Sequence, residues 1–208
     1  MSKELTKKSG IVYLSVFLLL ICAVSTAVMS FVAVWTDKPI RERQAALIAD
    51  TLKQVLPSFD TLEEKAVSGQ DATIYIAKNK ENKVAGYAVR AVTTTGYGGR
   101  VEALVGFEPD GTIFRIIVTS HNETPGIGTK VMNREQIRTI SDVITGKDAA
   151  AGLPENKTLD SYRGKKISDK LDRRNVNFVS GATVSSNAIL DLVNNARTFL
   201  QQSVQGVK

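Results

Sequence analysis

Hydroxyl-bearing residues cluster just before the last apolar stretch of the chain. Residues 177–186 read Asn-Phe-Val-Ser-Gly-Ala-Thr-Val-Ser-Ser, and a helical pattern follows them directly. This pattern places apolar side chains on one helix face, at Ile189, Val193, Ala196, Leu200 and Val204. A helix N-terminus offers unpaired N–H groups and the positive end of the helix dipole, which together favour a phosphate. The segment is therefore a candidate either for binding a phosphate group non-covalently or for forming a covalent bond to one.

The same hydroxyls also suit a purely structural role. Serine and threonine are preferred N-cap residues, so Ser180, Thr183, Ser185 and Ser186 can simply start the helix. The glycine and alanine between Ser180 and Thr183 allow a ligand to approach the backbone closely, because neither has a bulky side chain. The segment alone leaves capping and phosphate binding open.

Two loops contain more glycine than a hairpin needs. Residues 95–100 read Thr-Gly-Tyr-Gly-Gly-Arg, and residues 121–128 read His-Asn-Glu-Thr-Pro-Gly-Ile-Gly. Such loops form tight turns, or they let a flat ring or a phosphate lie against bare backbone. His121 and Cys22 are the sole histidine and cysteine, so the sequence predicts no metal site.

An apolar stretch near the N-terminus predicts a transmembrane helix. Residues 11–35 contain no charged side chain and end at Trp35, whose ring suits the lipid headgroup level. As a helix they span roughly 37 Å, enough to cross a lipid bilayer. The stretch is much longer than the ~7–15 apolar residues of a cleaved signal peptide. We therefore expect an uncleaved membrane anchor.

The distribution of charged residues indicates the orientation of the anchor in the membrane and the kind of partner, but less clearly than the apolar stretch indicates the anchor itself. Lysines at positions 3, 7 and 8 favour a cytoplasmic N-terminus, although the basic residues among 38–43 reduce the asymmetry. We expect a cytoplasmic segment 1–10 and an extracytoplasmic soluble domain. The net charge is +6, but basic and acidic residues are interleaved, so nucleic-acid binding is not expected.

The remaining pattern predicts an α+β domain with an antiparallel sheet and flanking helices. Predicted helices cover 38–56, 132–144 and the segment after Thr183, with Pro57 ending the first. Four strands are expected, at 72–77, 84–92, 100–107 and 112–119, the last two joined by a Glu-Pro-Asp-Gly turn. Residues 146–174 are expected to be loop-rich. The proposed divisions are 1–10, anchor 11–35, juxtamembrane helix 36–57 and soluble domain 58–208.

Taken together, these motifs resemble a known family. The run from Ser180 to Thr183, Ser-Gly-Ala-Thr, resembles the attachment signal of proteins that carry FMN as a phosphoester on a threonine. Together with Gly-Tyr-Gly-Gly at 96–99 and the 121–128 loop, it resembles the FMN-binding domain of the G subunit of the Rnf complex. The C subunit of the sodium-pumping NADH:quinone oxidoreductase is related. The resemblance covers the anchor and essentially the whole soluble domain.

The resemblance implies a set of cofactor-binding residues. It assigns covalent FMN to Thr183 and places Glu123, Thr124 and Ile127 along the flavin. It also implies that the rest of the attachment signal surrounds the phosphate, namely Ser180, Gly181, Ala182 and Ser186. No residue is assigned a catalytic role, because Thr183 is modified once and takes no part in turnover.

The resemblance also implies a function and partners. The chain is expected to be an electron-transfer subunit of a complex in the inner or plasma membrane. That complex moves electrons between reduced ferredoxin and NAD and translocates Na⁺ or H⁺. Other membrane subunits and a flavin transferase are the implied partners, and the protein is not expected to be catalytic alone.

One departure and two alternatives accompany this interpretation. The family signal has an aspartate six residues before the acceptor, where this chain has Asn177, which lacks the charge that the transferase could need. The first alternative is an FMN subunit of the quinone reductase or of another extracytoplasmic electron chain. The second is an anchored adaptor or sensor domain without a cofactor.

Overall fold

The computed structural model describes residues 2–66, 71–134 and 154–205. The chain divides into two compact units, Met1–Leu47 and Ile48–Lys208. Helix α1, Ser2–Val55, begins in the first unit and ends in the second.

Helix α1 contains the predicted membrane anchor. Among the described residues it is the helix long and apolar enough to cross a membrane, with a mean hydropathy of 2.5 over its most apolar stretch. Two of its hydroxyls are satisfied within the helix, because Thr26 and Thr36 donate to the carbonyls of Cys22 and Val32 at 2.8 and 2.6 Å. The prediction of a helix over 11–35 is confirmed.

The predicted helix over 38–56 is the last part of α1. The helix includes Pro39 and ends at Val55, where the Leu56 N–H still donates to the Leu52 carbonyl at 3.1 Å. Pro57 disfavours helical geometry at the residue before it, which accounts for the end of α1. The exact limits of the membrane-spanning segment stay a prediction.

Within the described residues the sheet has five antiparallel strands in chain order, each paired with its neighbours in sequence. They are β1 Thr61–Ala66, β2 Thr73–Lys78, β3 Val84–Gly96, β4 Gly99–Phe107 and β5 Ile113–His121. The prediction of four strands was wrong because it omitted β1. This strand, Thr-Leu-Glu-Glu-Lys-Ala, lies at the sheet edge with almost every side chain exposed, so it has no apolar alternation to detect.

Two strands extend further than predicted, and both reach the glycine-rich loops. Strand β3 continues to Gly96, which pairs with Gly99 at the start of β4. Strand β5 continues to His121, which pairs with Val101 of β4. The two loops therefore lie at the same end of adjacent strands.

Helices cover both faces of the sheet. Helix α4, Thr183–Gln205, packs on one face through its predicted apolar stripe, since Ile189, Val193, Ala196 and Leu200 are buried against the strands. The side chain of Val204, the last member of that stripe, lies outside the described residues. The end of α1 covers the other face, where Leu52, Val55 and Leu56 join a second apolar cluster. The predicted α+β fold class is confirmed.

Two short helices follow the sheet. They are α2, Thr129–Met132, and α3, Lys157–Asp160. The helix predicted over 132–144 does not begin as expected, because Met132 ends α2 and Asn133 is extended. Residues 135–144 of that prediction, and residues 146–153 of the predicted loop region, lie outside the described residues.

The buried Asn156 side chain joins these two helices. Its Oδ1 accepts the N–H groups of Thr158 and Leu159 at 3.0 Å and so caps α3. Its Nδ2 donates to three carbonyls at 2.7–3.2 Å, those of Lys130, Val131 and Asn133. Since α2 directly follows the 121–128 loop, Asn156 fixes the downstream end of that loop.

An ion pair holds the same region to the edge of β5. Arg134 Nη2 lies 2.7 Å from Asp160 Oδ1 and also donates to the Ile116 carbonyl at 3.1 Å. Burial by itself would raise the pKa of Asp160, but bonds from Arg134 and the Asn156 N–H outweigh it and lower that pKa. The pair therefore stabilises the fold above the unfolded-state pKa of about 3.9, and this contribution disappears as the pH falls through the lowered value.

We predict that Asn156→Ala lowers the free energy of unfolding by about 3 kcal/mol, because it removes a cap and leaves buried carbonyls without a donor. Denaturant unfolding of the full chain measures this. Asn156→Asp keeps the cap acceptor and loses the donors, so it should be destabilised to a similar extent. Near wild-type stability of Asn156→Asp would show that only the cap matters.

Candidate functional site

Three segments meet around a cavity of about 350 Å³. They are the turn between β3 and β4, the loop after β5 and the start of α4. The cavity is lined by Tyr97, Glu123, Thr124, Ile127, Gly128, Gly181, Ala182, Thr183, Val184 and Ser185. Six of the eight residues predicted for the site lie in this lining, so the structure brings the two sequence motifs together.

Thr183 is the first residue of α4 and its side chain is exposed at the cavity. The first turn of this helix contains no acidic residue of its own, although the carboxylate of Glu123 reaches it through the Ser185 hydroxyl. The backbone before it enters the helix through Gly181, whose φ of 82° is in the left-handed region that glycine adopts freely. A Cβ at Gly181 would meet no atom within 4 Å, so the backbone there is open.

The other predicted members of the attachment signal have different environments. Ala182 is buried and its carbonyl accepts the Ser186 N–H at 2.9 Å, which closes the first helical turn. Ser186 is fully buried, and its Oγ accepts the Val179 N–H at 3.3 Å. Ser180 is exposed but is not part of the cavity lining. Ser186 therefore shapes the turn before α4, and neither Ser186 nor Ser180 lines the cavity.

The segment before this turn is anchored to the rest of the fold. The Asn177 N–H donates to Ser161 Oγ at 3.0 Å, and its Nδ2 donates to the Lys157 carbonyl at 3.2 Å. Arg173 lies over the Phe178 ring at 5.8 Å and donates to Asn187 Oδ1 of α4 at 2.9 Å. An aspartate at position 177 could not donate the bond to Lys157, so the amide has a structural role here.

Glu123 is the one acid in the cavity lining, and it is only 5% exposed. Its Oε2 accepts the Ser185 hydroxyl of α4 at 2.7 Å, and its Oε1 accepts the Gly98 N–H at 3.4 Å. The carboxylate therefore connects all three segments that form the cavity. The predicted place of Glu123 along a flavin stays a prediction, and its burial shows that it is not a surface residue of a simple turn.

The loop that carries Glu123 is a compact turn built on one carbonyl. Thr124 O accepts the N–H groups of Ile127, Gly128 and Thr129 at 3.3, 3.0 and 3.3 Å. This leaves the Ile127 side chain 51% exposed at the cavity. At the start of the loop, the Glu123 N–H donates to His121 Nδ1 at 3.2 Å. His121 Nε2 lies 2.7 Å from Asn133 Oδ1, so both ring nitrogens are used structurally.

Four lining residues were not predicted: Tyr97, Gly128, Val184 and Ser185. Tyr97 belongs to a glycine-rich loop that the sequence had singled out, but nothing local indicated which way its ring projects. Gly128 is required because a Cβ there would lie 2.5 Å from Glu123 Oε2 and 3.0 Å from Ser185 Oγ. The role of Ser185 depends on a partner 62 positions away, which no local pattern reveals.

The cavity combines features that suit a ligand with one anionic and one flat apolar part. The start of α4 offers N–H groups, open backbone at Gly181 and a free hydroxyl on Thr183 for the anionic part. Tyr97, Ile127 and Val184 offer apolar surface for a ring. The residues present therefore fit FMN, which has a phosphate at one end and an aromatic ring system at the other.

Comparisons with known proteins agree with this geometry. The FMN-binding domain family matches residues 96–198, which include all three cavity segments. The G subunit of the ion-translocating oxidoreductase complex of Haemophilus influenzae is 31% identical, with 97% of each chain covered. The corresponding G subunit from Vibrio atlanticus is 30% identical, covering 97% of this chain and 93% of that protein.

Two further similarities were found. The G subunit of the proton-translocating ferredoxin:NAD(+) oxidoreductase complex of Clostridium ljungdahlii is 29% identical, covering 81% of this chain and 80% of that protein. The crystal structure of NqrC from Shewanella oneidensis superposes with a TM-score of 0.40 at 19% identity, over 71% of this chain and 66% of that chain. This chain thus spans just under two thirds of that structure's length.

The relatives from Haemophilus influenzae and Vibrio atlanticus, at 31 and 30% identity, align over nearly their whole length. Together with the match of residues 96–198 to the FMN-binding domain, they show that this chain belongs to the G-subunit family of the Rnf ion-translocating oxidoreductase complexes.

Proposed function

We propose that this chain carries FMN covalently, as a phosphoester on Thr183, and passes electrons within a redox-driven ion translocase. The observation that carries the proposal is the exposed Thr183 hydroxyl at the first position of α4, facing a cavity of about 350 Å³. A threonine that only capped the helix would not need to face a cavity bordered by an open backbone turn and three apolar side chains.

The cofactor and the chain divide the work between them. When bound, FMN supplies the redox chemistry through its isoalloxazine ring. The chain holds the phosphate at Thr183 and the α4 N-terminus, and Glu123 fixes the three walls of the cavity. The ester is formed once, by a flavin transferase, and then prevents loss of the cofactor outside the cytoplasm, where no flavin pool replaces it.

The family suggests the setting in which these electrons move. The relatives are named as subunits of ion-translocating complexes, one of them a ferredoxin:NAD(+) oxidoreductase. We propose that this chain has the same place, between other membrane subunits that exchange electrons between ferredoxin and NAD and translocate Na⁺ or H⁺. Helix α1 anchors it in the bilayer, with the N-terminus in the cytoplasm and the cofactor domain outside.

We predict that Thr183→Val abolishes covalent FMN attachment and leaves a folded protein in the membrane. Valine nearly matches threonine in shape but has no hydroxyl to esterify. Mass spectrometry of the wild-type peptide that contains Thr183 should show one added FMN group, and the variant should show none.

Thr198→Val is the matched control, because Thr198 lies exposed on the same helix and bonds only to a carbonyl of its own helix, that of Asn194. This control should keep full FMN attachment. FMN found on Ser185 or Ser186, or on no residue of the wild type, would contradict the assignment. A wild type that binds no FMN at all, covalent or free, would favour a cofactor-free adaptor.

We predict that Glu123→Gln keeps FMN on Thr183 and raises its midpoint potential. A negative charge beside the ring disfavours the electron-rich reduced flavin, so removing that charge favours reduction. A tenfold change in the redox equilibrium corresponds to about 30 mV for a two-electron couple. A shift of this order, measured by redox titration, is expected together with a changed absorption spectrum.

Two further variants test whether the change in midpoint potential is specific to the charge of Glu123. Glu81→Gln removes a surface-exposed acid between β2 and β3 and should leave spectrum and potential unchanged. Glu123→Ala also leaves the Ser185 hydroxyl and Gly98 N–H unpaired, so it should lower the free energy of unfolding by about 1–3 kcal/mol. An unchanged potential in Glu123→Gln would remove Glu123 from the flavin environment.

We predict that a protease added outside sealed, right-side-out membranes digests the domain from residue 58 onward and spares residues 1–10. The basic residues on both sides of the anchor make this a demanding test of orientation. Protection of the large domain in such membranes would reverse the proposed topology.

A further inference from the structure

Exposed apolar side chains are concentrated at the cavity mouth. Among the described residues from Ile48 onward, the large apolar side chains that are exposed are those of Tyr97, Ile127 and Val184, at 73, 51 and 47%. All three line the same cavity. Isolated apolar residues on a surface need no explanation, but a group gathered from three distant segments around one cavity indicates an apolar ligand surface.

The backbone under Tyr97 is fixed against the neighbouring loop. A Cβ at Gly98 would collide with the backbone carbonyl of Asn122, and one at Gly96 would lie 2.7 Å from Glu123 Oε1. The Gly98 N–H also donates to this carboxylate. The turn therefore packs directly on the 122–123 backbone, and it holds the Tyr97 ring out at the cavity while leaving it largely in solvent.

We propose that Tyr97 contacts the isoalloxazine ring and tunes the potential of the flavin. This inference rests on the proposed function, since it requires flavin in the cavity. Aromatic rings favour offset-stacked or edge-to-face contact with one another, and Ile127 and Val184 would complete an apolar border. An electron-rich phenol disfavours the electron-rich reduced flavin relative to the oxidised form, so the contact lowers the midpoint potential. The same contact quenches flavin fluorescence by electron transfer from the phenol.

The first experiment compares Tyr97→Leu and Tyr97→Phe with the wild-type full-length protein. Tyr13→Leu is the control, because Tyr13 is as exposed as Tyr97, at 72%, but belongs to the Met1–Leu47 unit. FMN on the Thr183 peptide should be equal in all four proteins. Flavin fluorescence should rise severalfold and the midpoint potential should increase in Tyr97→Leu, with a smaller change in Tyr97→Phe and none in Tyr13→Leu.

The second experiment does not depend on the covalent bond. Free FMN is titrated into Thr183→Val and into the double variant Thr183→Val/Tyr97→Leu, and fluorescence quenching and affinity are measured. We expect weaker binding and less quenching in the double variant, with equal thermal unfolding of both proteins.

The outcomes distinguish this inference from the proposed function. A wild type without FMN on Thr183 contradicts covalent attachment, whereas the titration still tests Tyr97. Equal binding and quenching in the two titrated proteins, or no binding to either, overturns the contact. Unchanged fluorescence and potential in a fully loaded Tyr97→Leu protein overturns it as well.

Discussion

The cavity depends on one buried carboxylate. Glu123 accepts the Ser185 hydroxyl from a helix that begins 60 positions later and the Gly98 N–H from a turn 25 positions earlier. Gly96 and Gly128 have no side chain where the carboxylate oxygens lie, and a Cβ at either would come within 2.7 Å of them. One glycine of each motif, Gly96 and Gly128, is thus explained by a single constraint, which is that the carboxylate must fit between three backbones.

The charge of Glu123 also lies close to the N-terminus of α4, because its Oε2 accepts the hydroxyl of Ser185 in the first turn of that helix. The N-terminus of α4 brings partial positive charge to Thr183, without an acid in its first turn. Glu123 brings negative charge to the wall formed with Gly98 and Gly128. A phosphate near Thr183 is therefore attracted by the helix N-terminus and repelled by the Glu123 carboxylate, so an uncharged ring is the better neighbour for the carboxylate.

The sequence predicted correctly those features that leave a local pattern in the chain or a recognisable family motif. The anchor and the apolar stripe of α4 follow from periodicity, and the link between the 121–128 loop and Thr183 followed from resemblance. It failed for β1, whose exposed edge position leaves no apolar signal. It also missed Tyr97, Val184 and Ser185 as lining residues. Their orientation depends on how β3, β5 and α4 meet in space, and no spacing within one segment encodes that.

The sheet connects this cavity to the end of the anchor helix. On β4, Leu104 packs in the cluster of Val55, whereas Ala103 and Val105 pack on the opposite side with α4. Gly106 allows the closest approach, because a side chain there would collide with the Val55 backbone. The strand that starts at the Tyr97 turn is therefore clamped between the end of α1 and the helix that carries Thr183. For the electron carrier proposed above, this scaffold would place the walls around the ring on one common support. The sheet, with apolar clusters on both faces, is the common support of the three segments that form the cavity.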